Sequence, residues 1–287
     1  MKTARTIAEV RKIVTGAKSG GAAIGFVPTM GGLHEGHLSL IDAARGACDF
    51  VAVSIFVNPT QFAPGEDLAT YPGSIESDLS ACEARGADLV FVPDVETMYP
   101  RGAVTSVSVS GLSETLCGPS RPTHFAGVCT VVTKLLNIVM PDKAFFGRKD
   151  FQQLVIVTRM VADLDIPVEI VPCPIVREAD GLAMSTRNQR LSAAGRSQAV
   201  ALHGALESAG DQIRRSHPPA EEIISAAREY ISTEAPDGEI DYIQIVDPQT
   251  LRDVETTDRI VLIALAVKFP GARLIDNMLV DSAGTGQ

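Results

Sequence analysis

The order of apolar runs along this chain predicts an α/β protein: a parallel sheet covered by helices on both faces, followed by a smaller C-terminal α+β domain. Two observations carry that expectation. Apolar runs bounded by turn residues alternate with helix-period segments through the first 175 residues. After Pro174 a polar stretch, READGLAMSTRNQR, leads into helical segments and then into three strand-like runs.

The first half gives strand AAIGFVP, helix EGHLSLIDAARGA, strand FVAVSIFV, helix IESDLSACEARG and strand DLVFVP in turn. An apolar segment from Thr130 to Met140, strand KAFFG, a helix from Asp150 to about Leu164 and strand VEIVP continue the rhythm. Beyond the polar stretch, helices are expected over Ser192 to Arg215 and Pro219 to Thr233. Strands EIDYIQIVD, RIVLIALAVKF and RLIDNMLVD follow, the last two joined by the hairpin signal PGA. The expected domains are therefore residues 1–175 and 176–287, with the final AGTGQ frayed.

A chain of 287 residues, 45% of them hydrophobic, is long enough for one large core or two modest ones. Its net charge of -10 opposes attraction to phosphate polymers, so no nucleic-acid partner is expected. Small anions remain possible partners where a few cations converge. The N-terminal MKTARTIAEVRKIV mixes charges where an export signal needs an apolar run, and the eight-residue run Ile260 to Val267 is too short to span a bilayer. Five cysteines, Cys48, Cys82, Cys117, Cys129 and Cys173, are an odd number without a C-x-x-C pair. They read as reduced core residues, which fits a cytoplasmic address and no membrane partner.

The strongest local signal is FVPTMGGLHEGHLSLI, residues 26–41, where a strand ends in a glycine turn and a helix begins near His34. Amides at a helix start are unsatisfied and favour an anion there. His34 and His37, three apart, lie on one face of the first turn, so their ring N–H groups can donate to one phosphate. Gly36 leaves room for a nucleotide, and Gly31 and Gly32 permit turn conformations closed to other residues. HEGH is one residue short of the H-E-x-x-H zinc pattern, so no protein-held metal is expected, and without a P-loop or G-x-G-x-x-G sequence two common nucleotide-binding schemes lack support.

The H-x-G-H core resembles the HIGH signature of the nucleotidyltransferase superfamily. A narrower likeness comes from PTMGGLHEGH taken with SIFVNPTQF (54–62), FFGRKDFQQL (145–154) and MSTRN (184–188). Together, in order and spacing across nearly the full length, these closely resemble the pantothenate synthetase family.

The resemblance implies a Rossmann-like first domain of the nucleotidyltransferase type, with the C-terminal domain closing over the active site. It implies ATP-dependent condensation of (R)-pantoate with β-alanine through pantoyl adenylate, releasing AMP and pyrophosphate, with Mg2+ accompanying ATP and a homodimer as the assembly. By the same likeness Met30, Gly31, Gly32, Leu33, His34, Glu35, Gly36 and His37 bind ATP, with His37 as proton donor and His34 and Lys149 assisting catalysis. Gly147, Arg148, Lys149 and Asp150 form a second ATP segment, Asp150 taking the ribose hydroxyls. Val176 lines the adenine pocket, and Met184, Ser185, Thr186 and Arg187 form a third, KMSKS-like segment. Gln61 and Gln153 hold pantoate, and Gln61 also adjoins β-alanine. Asn58, Arg121 and His124 are further site residues by the same likeness.

Three positions depart from the family pattern: Arg148 replaces a usual Glu, Thr186 a Ser, and Ala126 an Arg. Read singly, Lys149 and Arg187 are solvated charges and Gln153 is an exposed polar residue, so their placement rests on the likeness. Two other readings stay open: a nucleotidyltransferase acting on a phosphorylated acceptor, and a nucleotide-binding regulator without catalysis. AMP release separates the first from a ligase, and binding without turnover would reveal the second.

Overall fold

In the computed structural model, which describes residues 1–63 and 65–282, the chain starts with a short strand, β1 (Lys2–Ala4), and helix α1 (Ile7–Ser19). Neither stands out in the hydrophobic pattern. Thr6 and Glu9 cap α1 reciprocally, so the helix start is written in its polar residues. The expectation for AGTGQ, residues 283–287, lies outside the described residues.

Next come β2 (Ile24–Thr29), α2 (Glu35–Ala47), β3 (Phe50–Ile55), α3 (Ile75–Ala84), β4 (Leu89–Phe91) and the single turn α4 (Val95–Met98). Helix α5 (His124–Val139), β5 (Lys143–Gly147), α6 (Phe151–Asp163) and β6 (Glu169–Cys173) complete the α/β part. The six strands lie in the order β1-β4-β3-β2-β5-β6, and all pairs are parallel. From β2 the chain winds outward through β3 and β4, then crosses back to place β5 on the other side of β2. That reversal makes a topological switch point between β2 and β5, and ligands of open α/β sheets bind outside the carboxyl ends of such strands. Val27, Val53, Val90 and Phe145 from the strands pack with Ile41 and Ala44 of α2 beneath it.

Segment 99–123 is irregular. The alternating SVSVSG at 106–111 forms no strand, contrary to its pattern; the Val107 amide instead donates to Thr130 Oγ1, and nearby Val104 is 94% exposed.

The C-terminal part holds α7 (Ala193–Gln198), α8 (Ala201–Ser216), α9 (Ala220–Glu234) and an antiparallel sheet β7 (Glu239–Val246), β8 (Val261–Phe269), β9 (Ala272–Val280). The single helix expected over 192–215 is two, parted at Ala199 and Val200. Leu202, Leu206, Ile213, Ile223 and Ile231 of the helices cover Ile263, Leu265 and Val267 of β8. Gly271, at φ +94°, makes the tight turn between β8 and β9.

By contacts the chain divides into two compact units. One comprises Met1–Ser113, Arg121–Arg148 and Ile156–Ile175; the other comprises Glu114–Ser120, Lys149–Val155 and Val176–Gln287. Two short segments of the α/β half thus group with the C-terminal unit, which no composition shift marks. Among the described residues no helix is long and apolar enough to cross a membrane.

Candidate active site

At the carboxyl end of β2 the chain turns through Gly31 and Gly32, at φ +87° and +64°, before α2 begins. The left-handed conformation explains both glycines. His34 is the helix N-cap. Its Nδ1 accepts the Gly36 amide at 3.1 Å, while His37 Nδ1 accepts the His34 amide at 3.5 Å. Two imidazoles thus form the reciprocal cap usually made by Ser and Glu. A ring nitrogen that accepts carries no proton, so in the neutral rings the hydrogen sits on Nε2. Both histidines are therefore Nε2–H donors, with ring centroids 4.2 Å apart.

The same geometry corrects the expectation of open amides around the helix start. Gly31 donates to Thr29 Oγ1, Gly32 and Leu33 to the carboxylate of Asp78, and His34 and Gly36 to the two rings. The carboxylate of Glu35 is engaged by Arg85 at the surface, at 2.7 and 2.9 Å, so within this turn it serves α2 and not the ring pair. Met30 is half-buried, and its sulfur accepts the Gln61 amide at 2.9 Å.

Gln61 lies in a short 3-10 turn after β3 and is buried. Asn58, capping that turn, sets its orientation. Asn58 Oδ1 accepts from Tyr99 and Thr60, so its amide nitrogen must donate, to Gln61 Oε1 at 3.0 Å and to the Gly127 carbonyl at 3.2 Å. Burial pushes the Tyr99 phenol up, which keeps it a donor. Gln61 therefore turns its NH2 group toward the thioether of Met30, a weak acceptor that a hydroxyl or carboxylate can displace.

The Gln61 carbonyl accepts from His124 Nδ1 at 2.9 Å and from Arg121 at 3.3 Å. Because a carbonyl only accepts, His124 carries its proton on Nδ1. Arg121 also grips both oxygens of Glu66 at 2.7 Å, supplying a cation in a region where Ala126 leaves none. Gly147 closes β5, and Arg148 follows in a 3-10 turn, where burial raises the Cys173 thiol and the Arg148 charge opposes it.

The remaining predicted residues belong to the second unit. Lys149 Nζ lies 4.0 Å from Asp150, and its backbone carbonyl accepts from Asn277. Gln153 is half-buried on the first turn of α6, whereas neighbouring Gln152 is buried and clamps the segment before Arg121 through Cys117 N and Thr115 O. The two glutamines of DFQQL thus differ in environment. Val176 O accepts the Met184 amide at 3.0 Å, joining the proposed adenine residue to the start of MSTRN. Ser185 Oγ caps the turn of Thr186 and Arg187, and Asn188 ties it to Glu178 and to the Ala183 carbonyl. Thr186, where Ser is usual, is buried.

Asp78 is the residue that sequence reading missed. Its signal was faint: Asp78 is a first-turn carboxylate on the same face as Cys82, the other buried residue of that helix, and its partners lie far away along the chain. Among the described residues no cluster of three or more His, Cys, Asp and Glu side chains could hold a metal ion. Burial, with Asp78 adding to it, pushes the Cys82 thiol up to about 12, and burial pushes that of Cys129 to about 11.

Against this geometry stand the chain's relatives. The profile of the Pantoate-beta-alanine ligase family matches residues 2–279. The pantothenate synthetase of Acetivibrio thermocellus is 50% identical over 281 residues, covering 98% of this chain and 100% of the relative. That of Ruminiclostridium cellulolyticum is 52% identical over 277 residues, covering 96% and 98%. Among solved structures, pantothenate synthetase from Thermus thermophilus is 44% identical over 97% of this chain and 99% of its own, with TM-score 0.92. The Francisella tularensis pantoate-beta-alanine ligase, complexed with beta-gamma ATP and beta-alanine, is 34% identical over 97% of each chain, with TM-score 0.81. With the sheet order, the imidazole cap and the oriented Gln61 amide already in place, these matches make the chain a member of the pantoate-β-alanine ligase family.

Proposed function

We propose that this chain condenses pantoate with β-alanine, with ATP converted to AMP and pyrophosphate, through an enzyme-bound pantoyl adenylate. Membership in the family makes it an ATP-dependent acid–amine ligase. The observation that carries the mechanism is the pair of Nε2–H imidazoles of His34 and His37 at the end of β2.

In the first half-reaction the pantoate carboxylate attacks the α-phosphorus of ATP. It is already ionised at neutral pH, so no general base is needed. What the step needs is positioning and donors aimed at developing charge. His34 and His37 donate to the phosphates, His37 protonating the departing side, and the Lys149 ammonium adds a fixed charge. Met30 to His37, Gly147 to Asp150, Val176 and Met184 to Arg187 hold the nucleotide. Gln61 and Gln153 hold pantoate, and the Met30 thioether gives up the Gln61 amide to it. In the second half-reaction the uncharged amine of β-alanine, beside Gln61, attacks the acyl carbon and AMP leaves.

Mg2+ enters with ATP as the partner of its phosphates. Residues 1–175 and 176–287 are the two domains that serve the reaction. The working assembly is a homodimer, which light scattering would test. A cytoplasmic location suits five cysteines that form no disulfide.

ATP–pyrophosphate exchange tests the reading. Exchange that requires pantoate in the absence of β-alanine, followed by AMP release when the amine is added, is the expected result. AMP release only with both acids present from the start, and no exchange, would exclude a free-standing adenylation step.

A further inference from the structure

Strand β9 carries its apolar side chains on alternate positions. Ala272, Leu274, Met278 and Val280 all pack in the core of the second unit. Position 276 belongs to that row by the two-residue period of a strand, yet it is an aspartate, and it is 2% exposed. The next residue, Asn277, points to the opposite face and is 5% exposed. A buried carboxylate inside an apolar row needs compensation; Asp276 finds it in Arg177, next to Val176, and Asn277 reaches Lys149, in a segment assigned above to ATP.

Both oxygens of Asp276 accept from Arg177, at 2.7 and 3.1 Å, and Oδ1 also accepts the Asn277 amide at 2.8 Å. The Arg177 guanidinium donates further to the Gly181 carbonyl at 3.0 Å. The Arg177 backbone also bridges Ala183, and its side chain ties the hairpin from Val176 to Met184 onto β9. From the other face, Asn277 Nδ2 donates to the carbonyl of Lys149 at 2.9 Å. Replacing a buried ion pair by apolar side chains is often neutral or stabilising, so what such a pair supplies is geometry more than net stability.

We propose that Asp276 and Asn277 are positioning residues for the adenylation step: one dipeptide sets the register between Lys149 and the hairpin that leads into Ser185, Thr186 and Arg187. The proposal rests on the assignment of those segments to ATP. Neither residue touches the nucleotide. Each acts through the backbone or guanidinium it holds, so its loss displaces donors to the triphosphate and leaves the pantoate side chains Gln61 and Gln153 in place.

The test uses the full chain with Asn277→Leu, which keeps the size and removes the donor, and Asp276→Asn, which keeps the shape and removes the charge. In pyrophosphate exchange, Asn277→Leu is expected to raise KM for ATP about three- to tenfold, the size expected for one lost hydrogen bond, with KM for pantoate within twofold. Asp276→Asn is expected to shift KM for ATP further in the same direction. Equal KM values for ATP in wild type and Asn277→Leu would overturn the proposal, even where the melting temperature falls. Should Asp276→Asn fail to fold, Asn277→Leu carries the test. Equilibrium dialysis with ATP alone separates the two levels of inference. Wild type that binds ATP more tightly than Asn277→Leu but exchanges no pyrophosphate would sink the adenylation reading and keep the positioning role. Wild type that binds no ATP would overturn both.

Discussion

His34 and His37 cap each other across one helical turn: His37 Nδ1 accepts the His34 amide while His34 Nδ1 accepts the Gly36 amide, with the rings 4.2 Å apart. The bond that fixes each ring also chooses its tautomer.

His37→Ala therefore removes a cap and a donor together. Loss of one preorganised donor to developing charge is expected to lower pantoate-dependent pyrophosphate exchange by about 10²–10³-fold. Nitrogen-15 shifts of the two imidazoles should report Nε2–H tautomers near neutral pH. A proton on Nδ1 of either ring would contradict the capping geometry.

Asp78 is expected to matter to catalysis without touching substrate. Its two oxygens accept the amides of Gly32 and Leu33 at 2.9 and 2.8 Å, just ahead of His34. Asp78→Asn turns one acceptor into a donor facing an N–H group, leaving a buried amide unpaired at a cost of about 1–3 kcal/mol. Exchange activity should fall while far-ultraviolet circular dichroism is unchanged. Full activity in that variant would show that the loop holds its shape without the carboxylate.

Gly127→Ala should damage the Gln61 turn. A Cβ there would lie 2.5 Å from the Thr60 carbonyl oxygen and 2.7 Å from Gln61 Cα, contacts that backbone cannot relieve by rotation. Overpacking of this kind costs about 1–3 kcal/mol. KM for pantoate is expected to rise more than KM for ATP, because the displaced residue is Gln61. Equal effects on both would argue for a general loss of structure.

Glu66 links the same turn to pH. Burial would raise its carboxyl, but the hydrogen bonds and charge of Arg121 outweigh that and hold it below the usual glutamate range. A depressed folded-state value means that the stabilisation is present above the ordinary glutamate value and is lost as pH falls through the lower, folded one. The melting-temperature gap between wild type and Glu66→Gln should therefore be largest near neutral pH and close in acid. A gap that widens in acid would reverse the assignment.

Much of this molecule was legible in order along the chain. KAFFG is β5 residue for residue, β3, β7 and β8 fall inside the runs that suggested them, β2 and β9 each overstep theirs by one residue, and His34 stands where the helix begins. Such features depend on neighbours a few residues apart, through side-chain period, turn glycines and caps. The alternating SVSVSG forms no strand for the complementary reason: a strand needs a partner, and the Val107 amide is claimed by Thr130 on α5.

By itself, the sequence determined the α/β rhythm, the H-x-G-H turn and the motifs that carry the family likeness, because each is a local pattern of residue types. The tertiary structure decided which nitrogen of His124 bears the proton, which way the Gln61 amide faces, which glutamine of DFQQL is buried, and why Asp78, Asp276 and Asn277 are polar. Those outcomes turn on hydrogen bonds between residues distant in the chain, and a buried donor or acceptor is defined only by the partner that folding brings to it.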